Sequence, residues 1–327
     1  MNFTTDKNLH TIESKKVNGT GSEQNVEPWV ATKMTKMQIF WMIFTFVFTL
    51  GPIRVLLFIL IHAISLIFYR IMAIGVNESN SYGKFRSKLI EKWTNIGSRL
   101  SIATMGYYRI KIVNKENYVN WKKNRNERII ISNHSNQQDI EIILSLIATG
   151  FIAKSSVKNI PFIGSINTCL QGIYVDRSKK NTWIFDKIKL RATNKKLLPI
   201  AIFPEGTCTN NKSLLKFKVG AFSAGAPIQP LLIKYKAGFP LSFINLYFTV
   251  QNPWIIFLNL FTNIINHVEV TFMDPVQPTE EEKINPKLYL ENVQKKYQEV
   301  SNWKVHNLGY RDMVKYMEEM KKVKKNN

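Results

Sequence analysis

The first 36 positions are polar and carry no periodicity; Thr, Asn, Lys, Ser and Gly dominate, and the segment reads as a disordered tail. They hold no apolar core of the kind a cleavable leader needs. Apolar side chains then run from Met37 to Gly75, interrupted only by Gly51-Pro52, Arg54, His62 and Arg70. A bilayer core takes about 20 helical residues, so this run is too long for one span and short for two. Gly-Pro near its middle breaks a helix. The pattern predicts a membrane anchor over 37–75, either a re-entrant hairpin bent near Gly51-Pro52 or a single tilted span, with two buried core helices as the bland alternative. Lys33 and Lys36 before it, and Arg70, Lys84, Arg86 and Lys88 after it, favour both ends on the cytosolic side.

From about Glu127 the pattern changes to short apolar runs separated by amphipathic segments. "RIIIS" (128–132), "GFIAK" (150–154), "GIYVD" (172–176), "LPIAIF" (198–203) and "PIQPLLIKY" (227–235) read as buried strands. "DIEIILSLIAT" (139–149) and "NTWIFDKIKLRATNKK" (181–196) read as helices. The alternation predicts an α/β domain over 76–275 with a mixed, largely parallel sheet flanked by helices. The apolar and aromatic stretch 240–265 reads as a strand followed by a core helix, with a second membrane-contacting surface as the alternative. "HVEVTFM" (267–273) reads as one more strand. Thr279 followed by Glu282 is the signature of a helix start, and the remainder, 276–327, reads as a helical, basic tail ending in KKNN. That ending resembles a weak retrieval address for membrane proteins of the endoplasmic reticulum.

Charge changes the picture in one respect. With 45 Lys and Arg against 23 Asp and Glu, the chain carries a formal +22 and draws anions: nucleic acid, an anionic lipid surface or a phosphorylated substrate. No helix-turn-helix, zinc or aromatic-rich RNA motif favours nucleic acid. The two cysteines, Cys169 and Cys208, form no C-x-x-C pair, and no metal or redox site is expected. Asn133-His134-Ser135 and Asn211-Lys212-Ser213 match the glycosylation sequon and are read as chance matches.

Two strand-to-helix junctions carry candidate chemistry. His134 follows the strand "RIIIS" and stands five residues before Asp139. Neutral imidazole is a general base near neutral pH. Asp139 can reach one ring nitrogen if His134 sits in the entry turn and Asp139 inside the helix, although a helix-capping histidine and a surface aspartate are the simpler account. "FPEGT" (203–207) makes a sharp exit from the strand before it, with Glu205 projecting toward a substrate hydroxyl and Thr207 able to donate to a phosphate. An ordinary β-turn is the alternative.

His134-x4-Asp139 followed by Phe203-Pro204-Glu205-Gly206 resembles the glycerolipid acyltransferase family. "FIAKSSVKNIPFIGSI" (151–166), "GIYVDR" (172–177) and "APIQPLLIKY" (226–235) are similar to its other blocks in the same order. The likeness runs from about Arg128 to Met273 and is strongest to the lysophosphatidylcholine and lysophosphatidylethanolamine acyltransferase branch. Cys208 stands where many phosphatidate-forming relatives carry arginine, which counts against lysophosphatidate as the acceptor. Gln137 and Gln138 occupy positions that are often apolar in the family. No EF-hand loop occurs.

The resemblance implies a membrane-bound enzyme of phospholipid remodelling on the cytosolic face of the endoplasmic reticulum. It would transfer an acyl group from acyl-CoA, as co-substrate and with no other cofactor and no metal, to a lysophospholipid hydroxyl. His134 is then the base and Asp139 its orienting carboxylate; Glu205, Gly206 and Thr207 hold the acceptor and Arg177 its phosphate. Lys154 meets CoA phosphates or is merely solvated, and Cys208 is merely small. Backbone N–H groups at the helix start after His134 are the expected oxyanion donors. The rivals are a lysophosphatidate or glycerol-3-phosphate acyltransferase, a CoA-independent transacylase and a non-catalytic lipid-binding protein. A serine hydrolase is disfavoured, since "GAFSAG" around Ser223 is one residue too long for a nucleophile elbow. No protein partner is implied.

Overall fold

The structure, a computed structural model, describes residues 28–29, 34–75, 82–176, 183–247 and 253–325. Most of the polar N-terminal tail lies outside these residues, as does Arg177. Trp29, expected in a disordered stretch, is packed: it is buried beside Leu215 and Met313.

The apolar run folds as two helices, α1 (Lys36–Phe48) and α2 (Gly51–Met72). The bend falls at Thr49-Leu50, with Leu50 at φ 61° and Pro52 in the first turn of α2. A Cβ at Gly51 would collide with the carbonyl and ring of Phe46, so the break needs glycine there. At about 1.5 Å per residue, the 13 residues of α1 are too short to cross a bilayer and the 22 of α2 are long enough. Leu56, Ile59, Leu60 and Ile67 of α2 stay exposed, which rules out two core helices.

Two polar residues of this run, Thr49 and Arg54, are accounted for by a third apolar helix, α8 (Pro253–Thr262). Thr49 Oγ1 donates to the Thr262 carbonyl at 3.0 Å. Arg54 Nη1 donates to the carbonyls of Phe261 at 3.1 Å and Asn263 at 2.6 Å. These are the orphan carbonyls of a helix C-terminus, so the hairpin caps α8. The expectation of a strand and a core helix over 240–265 is half corrected. The described residues before α8 form turns rather than a strand, and α8 buries Phe261 and Asn259 while Trp254 is 74% exposed.

The α/β body begins with α3 (Lys84–Thr104), β1 (Ile110–Val113) and α4 (Lys115–Asn124). It continues through β2 (Ile129–Ser132), α5 (Gln138–Leu146), β3 (Gly150–Lys154), α6 (Pro161–Cys169), β4 (Ile173–Val175), α7 (Trp183–Thr193) and β5 (Ile200–Ile202). After β6 (Ser213–Leu215) come β7 (Ile228–Ala237), α8 and β8 (Asn266–Phe272). The main sheet runs β1-β8-β7-β2-β5-β3-β4 and is parallel except where β7 meets β8. All five strands expected between 128 and 235 are present, and so is the one at 267–273. β2 lies mid-sheet, with Ile131 opposite Ile202 on one side and Pro230 on the other. Its four residues are all buried, as a strand covered on both faces requires. Alternation sends Ile130, Leu231 and Ile233 into one core and Ile129, Ile131 and Leu232 into the other.

Thr279 and Glu282 form the expected capping box at α9 (Glu280–Ile284). The next helix, α10 (Pro286–Ser301), is part of the body rather than a tail. Tyr289, Val293 and Tyr297 are fully buried, and Tyr297 donates to the Ile131 and Leu231 carbonyls at 2.9 Å. β9 (Lys304–His306) pairs with β6, and α11 (Tyr310–Lys325) follows.

Candidate active site

In the sheet β2, β3, β4, β5 and β7 run parallel, so their C-terminal ends share one edge, the usual place for a site in an open α/β sheet. His134 leaves β2 there, and the Phe203–Thr207 turn leaves β5 beside it. His134 Nδ1 lies 2.8 Å from Asp139 Oδ2. The five-residue spacing closes as the sequence suggested, with His134 in the entry turn and Asp139 in the first turn of α5. Asp139 is fully buried. Its Oδ2 also accepts the backbone N–H groups of Ser135 at 2.6 Å and Asn136 at 2.9 Å, and its Oδ1 accepts the Tyr235 hydroxyl at 2.6 Å. Accepting donors on both oxygens, Asp139 assigns the proton of neutral His134 to Nδ1. Nε2 is left with the lone pair.

The ring is fixed on its faces as well. Phe203 stacks on the imidazole at 4.0 Å between centroids, and Phe151 stacks on Phe203 at 5.9 Å. The His134 side chain keeps 18% of its surface exposed, enough for one edge to meet a reactant. Burial alone would lower its pKa. The Cys208 thiol beside the ring and the Asp139 hydrogen bond outweigh burial and hold it well above the ordinary value of 6.5. Cys208, expected to be merely small, is thus a neighbour of the base.

Glu205 is placed next to His134, but not as expected. It is fully buried, and its carboxylate accepts the backbone N–H of His134 at 2.9 Å and that of Leu215 at 2.8 Å. Burial pushes its pKa up to about 8, against the pull of these two donors. The contact with a substrate hydroxyl is corrected to a clamp on the loop that carries His134. Thr207 is corrected likewise: its hydroxyl is buried and donates to Met313 Sδ at 2.8 Å, under α11. Trp29 closes the same side, donating through Nε1 to the Cys208 carbonyl at 3.1 Å.

Gly206 remains on the surface of the turn at φ 71°. A Cβ there would strike Lys218 Nζ, so glycine leaves room for an ammonium group to lie across the turn. Lys154 is exposed at the C-terminal end of β3. The expected oxyanion donors are also corrected. The N–H groups of His134, Ser135 and Asn136 are already held by Glu205 and Asp139. Ser223 Oγ donates to the Gly220 carbonyl within its own turn.

Sequence reasoning missed the residues that hold the two loops together. β2 ends at Ser132, but β7 continues to Ala237, and the backbone groups it leaves unpaired are taken by two asparagines. Asn133 accepts from Ile233 N at 2.7 Å and donates to Ile233 O at 2.9 Å. Asn211 accepts from Tyr235 N at 3.0 Å and donates to Ile233 O at 3.0 Å and to Ser135 Oγ at 2.6 Å. Both sequon asparagines are therefore structural, with their amides committed. Their one sequence signal was position: each sits beside a functional motif.

Residues 109–234 match the family model described as Acyltransferase, and the match takes in both junctions. The chain is 35% identical over 190 residues to the lysophospholipid acyltransferase LPEAT1 of Arabidopsis thaliana, covering 56% of this chain and 47% of that protein. It is 35% identical over 173 residues to human lysophosphatidylcholine acyltransferase 1, covering 51% of this chain and 31% of that one. The chain thus spans less than half the length of either relative. The fold matches the crystal structure of PlsC from Thermotoga maritima, a 1-acyl-sn-glycerophosphate acyltransferase, at TM-score 0.53 and 22% identity. That match covers 76% of this chain and 94% of PlsC.

Proposed function

We propose that the protein is a membrane-bound, acyl-CoA-dependent lysophospholipid O-acyltransferase with lysophosphatidylcholine or lysophosphatidylethanolamine as acceptor. The observation that carries this reading is the bond from His134 Nδ1 to the buried Asp139, which leaves Nε2 as a base at the open edge of the sheet. An alcohol is a poor nucleophile near neutrality, and general-base help is worth about 10²–10⁴-fold. Nε2 takes the acceptor's hydroxyl proton as the oxygen attacks the thioester carbonyl. The tetrahedral intermediate expels the CoA thiolate, and the imidazolium returns the proton to the sulfur. One ester forms and one thioester breaks, with no covalent enzyme intermediate.

With Glu205 and Thr207 turned inward, the acceptor's phosphate falls to the surface of Gly206 under Lys218, with Arg177 as the second cation. Lys154 serves the CoA phosphates. The exposed apolar faces of α1, α2 and α8 seat the domain on the bilayer that holds the acceptor, and the basic flanks put it on the cytosolic side, at the endoplasmic reticulum. Microsomes expressing the chain, given mixed lysolipids including lysophosphatidate and mixed acyl-CoAs and read by mass spectrometry, test the reading. New phosphatidylcholine or phosphatidylethanolamine that vanishes with His134→Ala supports it. Product formed without acyl-CoA from an intact phospholipid donor, or lipid binding without product, overturns it.

A further inference from the structure

We propose that Tyr235 is a positioning residue of the proton-transfer unit: by donating to the Asp139 carboxylate, it sets the basicity of the His134 imidazole. This rests on the reading of His134 as the base.

Among the described residues, Asp139 has four donors. His134, Ser135 and Asn136 all lie in the loop just before α5 and all reach Oδ2. Tyr235 alone comes from elsewhere in the chain, from β7, and it alone reaches Oδ1, at 2.6 Å. Without it one oxygen of a fully buried carboxylate would face no donor, while the three bonds to Oδ2 would keep the group facing the ring. An ionised group buried with half its acceptor capacity unused is costly.

The phenol is itself held at both ends. Tyr235 N–H is fixed by Asn211 Oδ1. The Tyr107 ring packs on it edge-on at 5.8 Å between centroids and 67° between planes. The Tyr107 hydroxyl points away, to Gln138 Oε1 at 3.2 Å. Desolvation and the facing carboxylate keep the Tyr235 phenol protonated well beyond neutral pH, so it donates throughout the working range.

A donor on Oδ1 draws charge from the carboxylate and weakens its hold on the imidazolium. Removing the donor leaves Asp139 a stronger partner for the charged ring, so the ring gives up its proton at higher pH. The other titratable groups around the ring, Cys208, Glu205 and Tyr107, keep their places in this comparison.

Tyr235→Phe deletes only the hydroxyl, and Tyr107→Phe deletes one from the adjacent ring that does not bond Asp139. The rate of acyl transfer, followed against pH for both variants and the wild type, separates positioning from packing. We expect Tyr235→Phe to move the acid limb of kcat/KM upward by about half to one pH unit, with a high-pH plateau within about threefold of wild type. Tyr107→Phe should leave the limb in place. Titration of the His134 ring by NMR in detergent micelles, its signal identified by loss in His134→Ala, should show the same upward move in Tyr235→Phe. An unmoved limb and ring titration, or a lowered plateau without a shift, overturns the proposal. A wild type without acyl-transfer activity would count against the proposed function instead, and the ring titration would still decide the role of Tyr235.

Discussion

Glu205 Oε1 accepts the backbone N–H of His134 at 2.9 Å, so the glutamate of the Phe-Pro-Glu-Gly turn grips the loop that carries this histidine. With its other oxygen on Leu215 N, it ties β2, β5 and β6 together at one buried point. The two motifs depend on each other mechanically before any substrate arrives.

Glu205→Gln sets an amide NH₂ against one of these two N–H donors and leaves it unpaired, at a cost of about 1–3 kcal/mol. The melting temperature should fall by several degrees and kcat should drop at least tenfold, while the acceptor KM changes less than threefold. Thermal melts and steady-state kinetics check this. A large rise in acceptor KM with unchanged kcat would restore Glu205 to the acceptor site.

The raised pKa of His134 has a definite consequence for pH dependence. Only the neutral ring accepts a proton, and its fraction grows as pH rises through the pKa. The acid limb of kcat/KM should therefore lie above 6.5, with activity increasing into mildly alkaline buffer. Asp139→Asn removes the carboxylate that favours the charged ring and lets the wrong tautomer form. It should move the limb down while cutting the maximal rate by about 10²-fold or more. A full pH profile of both proteins decides it.

Asn133→Ala strips the Ile233 N–H of its partner, while the Ile233 C=O loses one donor and keeps Asn211. One buried backbone group left unpaired predicts a loss of about 1–3 kcal/mol, a large share of the stability of a marginal domain. Expression followed by size exclusion should show little monodisperse protein. The same commitment of Asn133 and Asn211 predicts no N-linked glycan at either sequon, read as no mobility change on deglycosylation.

Arg54 sits within an apolar helix and bonds the carbonyls of Phe261 and Asn263. Arg54→Leu uncaps α8 without reducing the apolarity of the hairpin. Resistance to alkaline extraction from membranes should persist, while α8 loosens from the hairpin and Trp254 changes its fluorescence quenching by brominated lipids. Loss of membrane retention would show that Arg54 acts on the anchor itself.

Six of the seven strands of the main sheet, a bend near Gly51-Pro52, the helix start at Thr279 and the pairing of His134 with Asp139 were legible in the chain, because each follows from local spacing. β1, α3, α4 and the β6–β9 pair carried weaker patterns; β6 and β9 are three residues each and find each other across about ninety residues of chain. His134 and Asp139 are paired as the spacing suggested, whereas Glu205 and Thr207 have other partners than expected. Glu205 and Thr207 were read as facing a substrate because a turn after a strand usually faces out, whereas β6, α11 and Trp29 cover this one.

Local order along the chain determined most of the elements, the two junctions and the placing of His134 five residues before Asp139, since periodicities, breakers and caps act over a few residues. The tertiary structure alone decided which polar groups are spent inside the protein and which remain for a reactant. A side chain's hydrogen-bond partners lie tens to hundreds of residues away: Glu205 with His134, Asn133 with Ile233, Tyr235 with Asp139. Burial makes such partners obligatory, because a polar group removed from water must find them, and only the packed sheet says where they are.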